Sequence, residues 1–218
     1  MRGPWPDRAA AGRELAAALV DDVPPSADLL VLGLPRGGVV VAAEVAAALS
    51  AELDVLVVRK AGVPWHRELA LGAITADGAR VRNDDVIRRA GLREADVEAA
   101  FDEARDEAMR RQHLLRGDRP PLRLAGRYVI VVDDGIATGA TARAAAQLLR
   151  GHRPAPQHVT LAAPVAPRSA VEELSADVDE VRVLRCPRSF MAVGEWYATF
   201  GQIEDDEVRR LLARGPAP

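Results

Sequence analysis

Cysteine is almost missing from this chain: Cys186 is the only one among 218 residues. That excludes a disulfide framework and any multi-cysteine metal cluster. A lone thiol of this kind is expected as a small buried hydrophobe near a strand end. Charge of one sign is also in short supply, since 29 Lys and Arg face 32 Asp and Glu for a net charge of -3. A general nucleic-acid binder would be strongly basic, so none is expected. No 18 uncharged apolar residues run together, and the most hydrophobic part is cut by Arg36, Glu44 and Glu52. A membrane-spanning helix is therefore not expected. Residues 1–22 lack the apolar centre of a secretory leader, because 15–20 is too short and Asp21 and Asp22 follow it. The expectation is a soluble, cytoplasmic protein with neither membrane nor nucleic acid as partner.

What the chain does have is 49% apolar residues, which excludes disorder. A chain of this length is expected as one domain that buries roughly 70% of its surface. Apolar runs rich in β-branched residues stand at 29–34, 55–58, 128–132 and 159–162, with a weaker one at 181–184. Continuous rather than alternating hydrophobicity is how parallel strands covered on both faces read. Helical stretches at 39–50, 141–151 and 169–174 connect them. This alternation predicts an α/β fold with a doubly wound, mostly parallel sheet.

Two segments fall outside the alternation. In 84–117, Val97, Phe101, Ala104 and Ala108 recur at helical spacing among many charges. A helical insertion lying on the sheet with a solvated outer face is predicted. The tail 187–218 holds Phe190, Trp196 and Tyr197 close together, three of the eight aromatics, and Phe200 follows within it. The prolines near 120 and 154–156 read as turns, so 1–218 is taken as a single domain.

The chemistry concentrates in Tyr128-Val-Ile-Val-Val-Asp133-Asp134-Gly135-Ile-Ala137-Thr138-Gly139-Ala140-Thr141. A buried strand delivers two adjacent carboxylates at its carboxyl end, where open α/β sheets bind ligands. A turn of small residues then runs straight into a helix, so that backbone N–H groups and the helix N-terminus converge on an anion. This combination suits a phosphorylated sugar, with carboxylates on the hydroxyls and the loop on the phosphate. An ordinary strand–turn–helix with Thr141 as N-cap accounts for the glycine and the threonine. It leaves the two acids unexplained.

On these residues the sequence resembles the type I phosphoribosyltransferases. Four apolar residues, two acids and Thr-Gly-x-Thr, from Val129 to Thr141, match that family's signature for phosphoribosyl pyrophosphate (PRPP). The resemblance implies that Asp133 and Asp134 hold the ribose hydroxyls and that Ala137, Thr138, Gly139, Ala140 and Thr141 bind the 5′-phosphate. It further implies Mg²⁺ as cofactor, carried on PRPP and reached through water from Asp133 and Asp134, and a homodimer in nucleotide salvage. Arg59-Lys60-Ala-Gly-Val-Pro64, Glu68-Leu-Ala-Leu-Gly72, Arg119-Pro-Pro and Ala192-Val-Gly-Glu-Trp-Tyr197 narrow it to a bacterial branch without a settled substrate. The match runs from about residue 7 to 208.

Other segments take their meaning from that resemblance. Gly33-Leu34-Pro35-Arg36-Gly37-Gly38 is by itself mere strand-to-helix turn chemistry. Placed before a second phosphate loop, it resembles the family's pyrophosphate loop, with Arg36, Gly37 and Gly38 on the leaving group. Arg59-Lys60 is expected to close the second parallel strand, with Lys60 on pyrophosphate. Asp133, Asp134, Lys60 and Arg36 thus form the implied catalytic set. A mobile loop is expected over 61–77, with Arg67 and Glu68 as closure residues and no role for His66. The tail resembles the family's hood, in which Phe190 stacks on the acceptor base and Trp196 and Tyr197 are chiefly structural members of the base-binding wall.

One departure bears on substrate. Hypoxanthine-guanine enzymes carry an aspartate where this chain has Ala137, so a 6-oxopurine handled in the usual way is not expected. The implied reaction transfers phosphoribosyl to a ring nitrogen with release of pyrophosphate. The alternative is a regulator of the same fold that senses PRPP or nucleotide without turnover; the intact Lys60 and acid pair favour the enzyme.

Overall fold

The computed structural model describes residues 3–214, and of Arg67 and Glu68 the backbone alone. In chain order the helices are α1 (Arg8–Leu19), α2 (Gly37–Leu49), α3 (Asp84–Arg89), α4 (Glu94–Arg116), α5 (Ala140–Gly151), α6 (Arg168–Leu174) and α7 (Asp205–Arg214). The strands are β1 (Leu29–Gly33), β2 (Glu52–Val55), β3 (Val58–Val63), β4 (His66–Thr75), β5 (Arg80–Arg82), β6 (Tyr128–Val132), β7 (His158–Val165) and β8 (Glu180–Arg185).

Five strands form a parallel sheet in the order β2-β1-β6-β7-β8. Alternate residues of each strand feed opposite faces, as strand geometry requires. Leu29, Val31, Ile130 and Val132 pack with Leu15 and Leu19 of α1, Val41 and Val45 of α2, and Val208 and Leu212 of α7. Leu30, Leu32, Val129 and Val131 pack instead with Ala145 and Leu149 of α5 and Ala170 and Leu174 of α6. Both faces are covered, which is why the strands read as unbroken apolar runs. The doubly wound α/β expectation stands.

The run at 55–58 does not form one strand. The parallel strand ends at Val55, and Val58 opens a separate antiparallel sheet in the order β3-β4-β5. The buried side chains of Leu56 and Val57 make the corner between the sheets, so apolar continuity passes through a change of direction. Arg59 and Lys60 consequently lie inside β3 rather than at the end of a parallel strand. The segment expected as a loop is a hairpin, with pairs running from Val58 opposite Thr75 to Val63 opposite His66. Its inner side chains, Ala61, Val63, Leu71 and Ile74, bury against Val97, Phe101 and Ala104 of α4. The charged helix therefore lies mainly on this second sheet.

Candidate functional site

The sheet changes direction between β1 and β6, which are neighbours: β1 leads by α2 to β2 on one side, and β6 leads by α5 to β7 on the other. The loops leaving their carboxyl ends part there and open the crevice where such sheets bind ligands. The N–H of Leu34 donates to the Val132 carbonyl at 2.9 Å, tying the two exits together. The glycine turn and the acid pair meet at this point.

The contact is close. A side-chain carbon on Gly37 would fall 1.9 Å from Asp134 Oδ2, and one on Gly38 would fall 2.6 Å from the Val132 carbonyl oxygen. Only glycine lets the turn settle on the acids. Helix α2 begins inside this turn, two residues earlier than its apolar pattern suggests, with Arg36 at its N-cap and a cis peptide between Pro35 and Arg36.

Asp133 and Asp134 differ in their surroundings. The Asp134 backbone N–H donates to Asp133 Oδ1 at 2.9 Å. Burial first, and then the Asp134 charge, push the Asp133 carboxyl well above the ordinary carboxylate range. Asp134 has a cation of its own: Arg8 Nε donates to its Oδ2 at 2.7 Å, with the two side chains 10% and 15% exposed. The Tyr197 hydroxyl donates to the Asp134 carbonyl at 2.5 Å, and burial pushes that phenol upward.

The residues expected to bind phosphate, 137–141, lead directly into α5. Gly139 is its N-cap at φ 72°, a left-handed conformation that glycine adopts freely, and no side chain caps the helix. The alternative of a Thr141 cap is not realised; the Ala140 N–H reaches the Thr138 hydroxyl at 3.5 Å, a long contact at a helix start whose first N–H groups lack intrahelical partners. Ala137, Thr138 and Thr141 are exposed. Lys60 is exposed as well and, with Ala140 and Arg143 of α5, lines a cavity of about 270 Å³. Lys60 thus shares a cavity with Ala140 of the expected phosphate loop. The lining of that cavity includes neither Arg36 nor the acids.

Arg36 has an ion-pair partner in α7. Its Nη1 stands 3.7 Å from Asp205 Oδ1 at the start of α7, and Arg111 of α4 grips the same carboxylate at 2.6 and 2.8 Å. The Arg111 hydrogen bonds hold the Asp205 carboxyl below its ordinary range.

The tail aromatics form one cluster. Phe190, Val193 and Trp196 pack half-buried around buried Trp5, Val165 and Tyr197. Tyr197 stacks on Phe200 with ring centroids 5.1 Å apart. Cys186 is exposed, not buried as expected, because β8 is the edge strand and the chain leaves it directly into solvent. Arg67 and Glu68 lie in β4, and their side chains fall outside the described residues. The sequence reading missed α1 and α7, and with them Arg8 and Asp205; the Asp7 cap and the Leu15–Leu19 spacing were the available signal for α1.

Two adjacent carboxylates are hard oxygen donors, and Mg²⁺ commonly takes one or two of these with waters and ligand oxygens; the donor set fits that ion. Among the described residues, no three His, Cys, Asp or Glu side chains gather as a metal cluster, and no helix is long and apolar enough to cross a membrane.

Comparison with known proteins gives these features a context. The model of the phosphoribosyl transferase domain family matches residues 3–194. Two Mycobacterium tuberculosis proteins, from strains CDC 1551 and H37Rv, carry provisional phosphoribosyl transferase names and are 49% identical over 95% of this chain. The chain spans about half of their length, 46%. The crystal structure of TT1426 from Thermus thermophilus is 40% identical, superposes with a TM-score of 0.86, and covers 98% of this chain with 100% of its own.

Proposed function

For a chain that belongs to the phosphoribosyl transferase domain family, we propose transfer of the 5-phosphoribosyl group from PRPP to a ring nitrogen of a nucleobase or related heterocycle. The C1′–O bond to pyrophosphate breaks, a C1′–N bond forms, and the acceptor's proton passes to solvent. The observation that carries this reading is the seating of Gly37 and Gly38 on Asp133 and Asp134 at the sheet's switch point, beside the start of α5.

In this reading Asp133 and Asp134 accept from the ribose hydroxyls, while residues Ala137 to Thr141 hold the 5′-phosphate through N–H groups and hydroxyls. Arg36, the Gly37 and Gly38 amides and Lys60 meet the departing pyrophosphate, where fixed donors stabilise developing charge most effectively. Mg²⁺, reached by Asp133 and Asp134 directly or through water, neutralises pyrophosphate when bound. The hairpin carrying Arg67 and Glu68 closes over the crevice, and the Phe190, Trp196 and Tyr197 wall flanks the acceptor. The same reading makes the protein a cytoplasmic, homodimeric enzyme of nucleotide salvage.

Pyrophosphate release from PRPP and Mg²⁺, screened across nucleobases and analogues, tests the proposal. At least one heterocycle should release it, and guanine and hypoxanthine should be poor because Ala137 has no proton to exchange. PRPP binding without release by any acceptor would favour a sensor. Failure to bind PRPP would refute the reading.

A further inference from the structure

Arg8 opens α1, 126 positions from Asp134 in sequence, yet the two are joined at the crevice. Three close contacts hold its guanidinium. Nε donates to Asp134 Oδ2 at 2.7 Å, Nη1 donates to the Gly201 carbonyl at 2.9 Å, and the Phe200 ring lies 3.9 Å from its central carbon. The arginine is thereby fixed from the tail as well as from the acid. The pair also lies against the bare backbone of the glycine turn, since a side-chain carbon on Gly37 would be 3.0 Å from Arg8 Nε.

Two carboxylates on successive residues repel each other, and burial raises the cost of keeping both charged. The charged and titratable groups facing them are Arg8 from α1 and Tyr197 from the tail, with Arg185 of β8 behind the tyrosine. Arg8 is the cation bonded to the pair. It also selects one orientation of Asp134, because a guanidinium held at two other points leaves its carboxylate partner little freedom.

We propose that Arg8 is a positioning residue for PRPP, acting through the Asp134 carboxylate and not by touching the ligand. The proposal rests on the reading of Asp133 and Asp134 as the ribose site. At 10% exposure the Arg8 side chain offers almost no surface to a ligand. Its influence must pass through the acid it holds.

A double-mutant cycle in PRPP affinity separates this role from others. Calorimetric titration of PRPP with Mg²⁺ is made on the unmodified protein, Arg8→Met, Arg8→Lys, Asp134→Asn and the double variant Arg8→Met with Asp134→Asn, with melting temperatures alongside. Arg8→Met should weaken binding about tenfold or more, as losing an ordered charged acceptor does, and Arg8→Lys should restore part of it. On the Asp134→Asn background, Arg8→Met should cost less than about threefold. Equal losses on both backgrounds, or undiminished binding by Arg8→Met, would overturn the proposal. If Arg8→Met does not fold, the double variant leaves no unpaired carboxylate at 134, and its comparison with Asp134→Asn and Arg8→Lys decides the question. An unmodified protein that binds no PRPP would overturn the functional reading and this inference together. Binding that survives Arg8→Met overturns the inference alone.

Discussion

Asp133 sets its proposed role against stability at the scale of one residue. The residue is half-buried, and its carboxyl is pushed upward by desolvation first and then by the Asp134 charge. The folded state therefore holds a proton there more tightly than the unfolded chain does. Stability from this group is fully present below the unfolded value of about 4, and it is lost as pH rises through the raised folded value. Asp133→Asn abolishes that dependence while keeping an acceptor for the Asp134 N–H. Thermal melts between pH 5 and 9 should show the variant at least as stable as the unmodified protein at the alkaline end, with a flatter profile. PRPP titration of the same samples should show weaker binding. A variant that melts lower at pH 8 would contradict this account of Asp133.

At the scale of elements, the β3–β4 hairpin joins a fixed base to an open tip. Ala61, Val63, Leu71 and Ile74 are buried against α4, whereas Trp65 at the turn is 68% exposed and Leu69 is 43% exposed. Local opening is easiest where few apolar contacts must be broken. Chymotrypsin should therefore cut near Trp65 first, and PRPP with Mg²⁺ should slow that cut if the hairpin closes on the crevice. Equal cleavage rates with and without ligand would remove the hairpin from the site. The expectation of a loop arose because Gly62 and the polar residues around His66 offer little to bury on their own. The partners of Ala61, Val63, Leu71 and Ile74 come from α4, more than twenty residues on, and the sequence window did not contain them.

At the scale of the whole molecule, the two sheets are joined through a buried ion pair. Asp54 of β2 accepts two hydrogen bonds at 2.8 Å from Arg116 at the end of α4, and both side chains are 4% exposed. Arg116 also donates to the Pro120 carbonyl at 2.7 Å. Asp54→Ala leaves the guanidinium buried without its carboxylate, which typically costs about 3–5 kcal/mol. Replacing both members with apolar residues (Asp54→Leu with Arg116→Met) should recover most of that loss. Urea denaturation followed by circular dichroism measures both. If the single variant lost less than about 1 kcal/mol, the pair would not be a principal joint between the sheets.

Residues 128–141 announced their chemistry because strand, acids, turn and helix start are contiguous, and every part of that motif lies within local reach. The parallel sheet was equally legible, since burial on both faces writes itself as unbroken apolar runs in 29–33 and 128–132. The separate hairpin sheet was not, because the apolar run at 55–58 is the same whether the chain continues straight or turns a corner at Leu56 and Val57. Nor was Arg8 legible as part of the site: nothing local distinguishes it from a solvated helix arginine. Its partners, Asp134, Phe200 and Gly201, are brought to it only when α1 and the tail pack over the carboxyl end of β6. Sequence by itself determined which chemical groups the strand end, the turn and the helix start carry, since these are properties of short segments. Tertiary structure decided which charges surround them, because a salt bridge across 126 positions exists only after the chain between has folded.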